Sequence, residues 1–356
     1  MTQRVLIIKF GAIGDVVMAI PAAYALHRTG AQIDWVCGAA VEPVLACYPW
    51  IRTIVADDRA LLTGSTAAKI AALGKLWRQL AGQKYDLCAT LYYDPRYRSI
   101  ALPVRANRKI MLSQSDRELM LLPGRSHTDE YARILLHQQD SVREQSLAPL
   151  RPEQLPLSPL DPKHAPVRVA LVPGGASNMM RKQTLRRWPA ENYAALARTL
   201  LDRGWEVVLL GGPDDQWVRP HFEDLAGEGL AIVDKIGQLT LPQVIAACDA
   251  CDAVVSHDTG PLHLAALSQA AVVALFGPTN PANFMPRREA VAGIWGGEGF
   301  ACRPCHDGRD FAPCTNNACM QQITVEMALA QLDGVLARPG APCRLVLPSA
   351  ALETKR

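Results

Sequence analysis

Long apolar runs are missing from this chain. Hydrophobic residues make up 49% of it, yet no uninterrupted stretch approaches the roughly 20 apolar residues of a membrane-spanning helix. The expectation is a soluble protein that spends its apolar residues on internal cores. A strong charge of either sign is missing too. With 37 basic against 34 acidic residues the net charge is +3, too little to argue for nucleic acid as a partner, so any basic surface must be local. A secretion signal is also absent: the apolar stretch Val5 to Ile8 stops at Lys9, and Asp15 follows soon after. The start therefore reads as a first strand rather than a signal peptide, and a cytoplasmic location is expected. Two nucleotide fingerprints are incomplete as well. The Gly11-Ala12-Ile13-Gly14-Asp15 loop lacks the third glycine of the dinucleotide motif and the Lys-Ser/Thr of a P-loop.

What is present is alternation. At about 150 residues per domain, 356 residues point to two domains. Arg4 to Phe10 reads as a buried strand and Val16 to Arg28 as a helix. Strand-like Ile33–Cys37, a helical Ala40–Cys47, a strand Ile51–Ala56, a helix Ala67–Ala81 and a strand Tyr85–Tyr92 follow. Strands and helices alternating at this spacing argue for a doubly wound parallel α/β sheet. Prolines at 149, 152, 156, 159, 162 and 166 then forbid helix or central strand. The expected division is residues 1–150, a Pro-rich linker 151–166, a second domain 167–345 with a Cys-rich loop 302–319, and a tail 346–356.

The second half places polar turns at strand ends. The strand Val167–Val172 runs into Pro173-Gly174-Gly175-Ala176-Ser177, followed by Arg181, Lys182, Arg186 and Arg187. Backbone amides of such a turn, with cations nearby, suit an anion. Trp205–Leu210 ends in Gly211-Gly212-Pro213-Asp214-Asp215. The apolar run Ala253–Val255 breaks at Ser256-His257-Asp258-Thr259-Gly260 and resumes as a helical pattern from Pro261 to Ser268, then a strand Ala271–Phe276. Ligands of parallel α/β sheets bind at strand carboxyl ends, where free amides and helix starts favour negative charge. Asp258 fits hydrogen bonds from sugar hydroxyls or a turn-fixing role. Asp15 is a single carboxylate at a helix start beneath the glycine loop, which also fits an ordinary first-turn acid complementing the helix dipole. The basic run Arg96, Arg98, Arg105, Arg108, Lys109 fits an anion grip or a solvated helix face.

Ten cysteines without a secretion signal favour free thiols or metal ligands over disulfides. Cys302, Cys305, Cys314 and Cys319 are clustered in a polar, Gly/Pro-rich stretch. Two pairs of thiolates suit a tetrahedral structural zinc or iron, with His306 as a substitute ligand. Thiols that lie near one another by chance are the other reading.

Three stretches together resemble glycosyltransferase family 9, the lipopolysaccharide heptosyltransferase family: KFGAIGDVVMAIPA, then PGGAS with RRWP, then SHDTGPLHLAAL with ALFGPTNP. The resemblance implies a GT-B architecture, two Rossmann-like domains facing each other across a cleft, with the acceptor on the first and the donor nucleotide sugar on the second. It implies an inverting transferase that needs no catalytic metal, an ADP-heptose-like donor and a lipopolysaccharide inner-core acceptor. Asp15 matches the family's catalytic base, with Gly14 in the same loop on the acceptor-binding side. Asp258, Thr259, Gly260 and His263 match its DTGxxH donor motif, although His263 also suits a packed core. Arg186 stands where members commonly carry lysine, and Arg187 or Lys182 suits a share of the leaving-group charge. Gly175 and Ser177 fall in the donor turn, while Arg96 and Arg98 match the acceptor side loosely. A lipid-linked acceptor implies peripheral contact with the cytoplasmic face of the inner membrane. Another nucleotide sugar or a protein acceptor, and a nucleotide-sugar-binding protein that has lost transfer, stay open as alternatives.

Overall fold

A computed structural model describes residues 3–138, 146–177, 182–227, 231–305, 311 and 313–348, apart from the side chains of 95, 96, 226 and 227. The chain divides into two compact units, Met1–Gln154 and Leu155–Arg356. The expected substitute ligand His306, the cation Arg181 and nearly all of the 346–356 tail lie outside the described residues.

In the first unit β1 (Arg4–Ile8), β2 (Gln32–Gly38), β3 (Ile51–Ala56), β4 (Lys84–Thr90) and β5 (Arg105–Met111) form one sheet. Its order is β3-β2-β1-β4-β5, and every pairing is parallel. Val5 to Ile8 are fully buried, as a central parallel strand covered on both faces must be. The order reverses between β1 and β4, which makes their carboxyl ends the switch point where such sheets bind ligands. The helix after β1 runs Ile13–Arg28, so it starts before the expected Val16 and takes Gly14 and Asp15 into its first turn. β5 corrects the helix-face reading for the later part of the basic run, Arg105, Arg108 and Lys109, while Arg98 lies on the turn Pro95–Ser99. Arg105 and Lys109 are exposed on an edge strand, where charge discourages pairing with another sheet.

In the second unit β6 (Arg168–Val172), β7 (Glu206–Leu209), β8 (Ile232–Asp234), β9 (Ala253–His257), β10 (Ala271–Phe276), β11 (Val291–Trp295) and β12 (Arg344–Val346) pair in the order β12-β11-β10-β9-β6-β7-β8. All are parallel. The reversal falls between β6 and β9, so the Pro173–Ser177 turn and the His257–Gly260 turn leave the sheet side by side. One face of the sheet is covered by the helices Ala190–Asp202 and Val325–Ala337, which pack on each other. Trp188 locks the two together: it is fully buried, and its indole N–H donates to the Ile323 carbonyl at 2.8 Å. Truncating a buried aromatic of this kind to alanine costs about 3–5 kcal/mol.

Candidate active site

Two constellations occupy the two switch points. In the first unit, Lys9 follows β1 and its Nζ lies 3.1 Å from Oδ2 of Asp15. The Asp15 side chain is 31% exposed, whereas that of Lys9 is 3% exposed. The Lys9 ammonium also sits over the rings of Tyr92 and Tyr131, at 5.2 and 5.8 Å from their centroids. Burial pushes the Tyr93 and Tyr131 hydroxyls up from their ordinary range, and the Asp15 charge adds to both. Tyr97 packs on Phe10 and Tyr92 and anchors the turn Pro95–Ser99 beside this site, with Arg98 exposed on it. The Arg96 side chain lies outside the described residues, and Gly14 is buried.

In the second unit the site is knitted by side chains from distant segments. Asp258 is 1% exposed. Its Oδ2 accepts from Thr279 Oγ1 at 2.7 Å and from Arg186 Nη1 at 3.2 Å. Burial alone would raise this carboxyl, but the charges of Arg186 and His263 and the bonds from Thr279 and Arg186 outweigh it and hold it below its ordinary value. Asp258 therefore remains an anion that clamps Arg186. These bonds tie Thr279 and Arg186 together. Arg186 Nε is buried with no hydrogen-bond partner, so the guanidinium is held at one end and unsatisfied at another.

The glycine turn departs from the expected amide cradle. The Gly175 amide donates to Asp215 Oδ1 at 2.6 Å and the Ala176 amide to Thr259 Oγ1 at 2.8 Å. Both amides are taken up by side chains, which makes the turn a rigid support. Gly175 has φ +82°, a conformation that suits glycine. Asp215 also accepts from the Gly212 amide at 2.8 Å, tying the ends of β6 and β7 together. Arg187 belongs to the same support: its Nε donates to the Gly175 carbonyl at 2.9 Å, and its guanidinium stacks on Trp217. Ser177 and Lys182 are exposed and joined by a backbone bridge. Gly260 opens the helix Gly260–Ala266, and His263 is buried within it.

Sequence reasoning assigned no role to Lys9, Asp215, His257 or Thr279. His257 is fully buried. The Tyr193 hydroxyl lies 3.1 Å from its Nδ1 and accepts from its backbone N–H at 3.1 Å. The hydroxyl and Nδ1 share one hydrogen bond whose direction is set by the ring's tautomer. Burial, reinforced by the charge of Arg186, lowers the imidazole to about 3.

The cysteine loop lies beside β10. Cys305 N–H donates to the Pro278 carbonyl at 3.0 Å, and Cys319 sits against Gly277 and Gly297. Burial raises the Cys319 thiol to about 11, with added repulsion from Cys305, Cys314 and Cys302. Among the described residues no three His, Cys, Asp or Glu side chains are gathered to hold a metal ion, and no helix is long and apolar enough to cross a membrane.

Comparison with known proteins agrees with this architecture. A family profile described as glycosyltransferase family 9 (heptosyltransferase) matches residues 73–314. Lipopolysaccharide heptosyltransferase 1 of Pseudomonas aeruginosa is 27% identical over 91% of this chain and 89% of its own length. Lipooligosaccharide heptosyltransferase 2 of Haemophilus influenzae is 30% identical, over 43% of this chain and 44% of that protein. The solved structure of E. coli ADP-heptose LPS heptosyltransferase II superimposes with a TM-score of 0.69 at 20% identity, covering 95% of this chain and 100% of that one. Two doubly wound parallel sheets with polar groups crowded at each switch point define, with these likenesses, a glycosyltransferase of the GT-B class. The chain belongs to glycosyltransferase family 9, the heptosyltransferase family.

Proposed function

We propose that this protein transfers a heptose from an ADP-heptose-like donor to a lipopolysaccharide inner-core acceptor, with inversion at the anomeric carbon. The observation that carries the reading is Asp15, a part-exposed carboxylate at the first switch point, held by a buried lysine. In the proposed step an acceptor hydroxyl oxygen bonds to the anomeric carbon as the bond from that carbon to the diphosphate oxygen breaks. The hydroxyl proton passes to Asp15 and the nucleoside diphosphate leaves with the electron pair. A carboxylate serves both the proton and the positive charge that builds on the ring. Arg186, clamped by Asp258 with its Nε unsatisfied, is the cation for the leaving diphosphate. No catalytic metal enters this scheme. The acceptor is lipid-linked in this reading, so the work takes place in the cytoplasm with peripheral contact at the inner-membrane face.

Purified protein supplied with ADP-heptose and a core acceptor lacking that sugar should release ADP and lengthen the acceptor by one heptose. Asp15→Asn should lower kcat by about 10²-fold or more. Wild-type turnover by Asp15→Asn would remove the base assignment. A melting temperature unmoved by every ADP-sugar, with a rise in GDP- or UDP-sugar, would replace the donor.

The reading extends to Cys302, Cys305, Cys314 and Cys319, proposed to hold one structural zinc or iron. What supports it is sequence spacing: Cys302 and Cys305 form a CxxC pair, and Cys314 and Cys319 follow in the same polar, Gly/Pro-rich stretch. Elemental analysis should return one metal per chain, and substoichiometric zinc and iron together would remove the site.

A further inference from the structure

We propose that Lys9 is a positioning residue of the transfer reaction: its buried ammonium fixes the Asp15 carboxylate by one oxygen and keeps it charged until the acceptor proton arrives. The inference rests on the reading of Asp15 as the base. Lysine is almost never fully buried unless paired, and Lys9 is 2% exposed. Its backbone is held on both sides, since its N–H donates to the Val36 carbonyl at 3.0 Å and its carbonyl accepts from the Trp35 indole at 3.2 Å. From that anchored point Nζ meets Asp15 Oδ2 at 3.1 Å. Among the described residues, Asp15 is the carboxylate within ion-pair distance of it. Tyr92 and Tyr131 cover the ammonium with their ring faces, an arrangement that favours a cation.

The other described groups on the elements packed against Asp15 are neutral or committed to partners of their own. Tyr92 and Tyr93 follow β4. Tyr131 comes from the helix His127–Leu135, which packs on the helix bearing Asp15. The hydroxyls of Tyr93 and Tyr131 are raised above their ordinary range by burial, so they stay neutral at working pH. Glu130 and Arg133 on that helix are spent on each other at 2.7 Å. Arg125 adds to Glu130, and the remaining Arg133 bonds go to the carbonyls of Glu118 and Met120. Lys9 is thus the cation that the described contacts place on the Asp15 carboxylate.

The test uses the full chain labelled with [13C]aspartate. The Asp15 carboxyl signal is assigned by its loss in Asp15→Asn and titrated by NMR in wild type, Lys9→Met and Lys9→Arg. Loss of an adjacent cation should move the midpoint in Lys9→Met up by about one pH unit, while Lys9→Arg stays near wild type. The acid limb of kcat against pH should move by the same amount, kcat should fall more than KM changes, and affinity for ADP should not change. An unmoved midpoint in Lys9→Met overturns the proposal for Lys9 and leaves the Asp15 assignment standing. A moved midpoint with an unmoved acid limb also overturns it. Wild-type turnover by Asp15→Asn instead overturns the base reading and Lys9's part with it. If Lys9→Met does not fold, Lys9→Gln is titrated in its place and the same outcomes decide.

Discussion

The Thr259 hydroxyl accepts the backbone N–H of Ala176 at 2.8 Å, joining residues 83 apart in sequence across the second switch point. Ala176 is 2% exposed, so no water replaces that acceptor if it is lost. Thr259→Val keeps the shape and removes the oxygen, stranding a buried donor at a cost of about 1–3 kcal/mol. Urea unfolding should show that loss, and Thr259→Ser should recover most of it. Equal stability of the valine variant would mean that the turn does not depend on this bond.

His257 makes stability depend on acid in a defined window. Its folded value of about 3 lies below its ordinary 6.5, so between those values the unfolded chain binds a proton that the folded chain refuses. Stability contributed by the neutral ring is therefore complete above about pH 6.5 and drains away as pH falls toward 3, by up to about 1.4 kcal/mol per pH unit. His257→Gln should flatten the dependence of unfolding free energy on pH between 6.5 and 4, whatever its effect at neutral pH. A slope equal to wild type would show that the imidazole does not carry the dependence.

The parallel alternation was legible because central strands such as Val5–Ile8 and Val169–Val172 are buried on both faces and so read as unbroken apolar runs. Their ends were legible because glycine and polar residues concentrate there. β5 was not: on an edge strand, charge at Arg105, Arg108 and Lys109 interrupts the two-residue period and imitates a solvated helix. β11 and β12, which extend the second sheet beyond β10, were not anticipated. At the two switch points, residue types marked where the strands end, but which amide meets which side chain depends on contacts across the fold. Asp215 reaching Gly175, 40 residues away, leaves no local pattern, and Thr279 closing on Asp258 leaves none either.

Away from the switch points, Asp34 is a buried acid of the first unit. It accepts from Arg52 Nε at 2.7 Å and from the Tyr85 hydroxyl at 2.7 Å, with Arg4 at 3.1 Å. Burial pulls its carboxyl up, but the Arg52 and Tyr85 bonds and the charges of Arg52 and Arg4 prevail and hold it below its ordinary 3.8. The stabilisation is present above that value and is lost as pH falls through the lower folded value. Asp34→Asn should cost about 2 kcal/mol at pH 7, measured by urea unfolding, and the gap from wild type should narrow below about pH 4. A constant gap would place the loss in packing rather than charge.

Arg186 carries the sharpest prediction for turnover. One end of its guanidinium is fixed by Asp258 at 3.2 Å, and Nε is buried without a partner. A cation so held costs little to reorganise when charge develops on a leaving group, which is the condition for strong electrostatic catalysis. Arg186→Met should lower kcat by about 10²-fold. It also leaves Asp258 without its cation, so unfolding should be measured in parallel. Arg186→Lys keeps the charge but offers a point rather than a planar fork, and it should fall between the two. The discriminating measurement is kcat against KM for the donor. A change confined to KM would make Arg186 a ground-state contact and leave the departing diphosphate to another group, whereas a fall in kcat with ADP affinity largely kept assigns the guanidinium to the transition state.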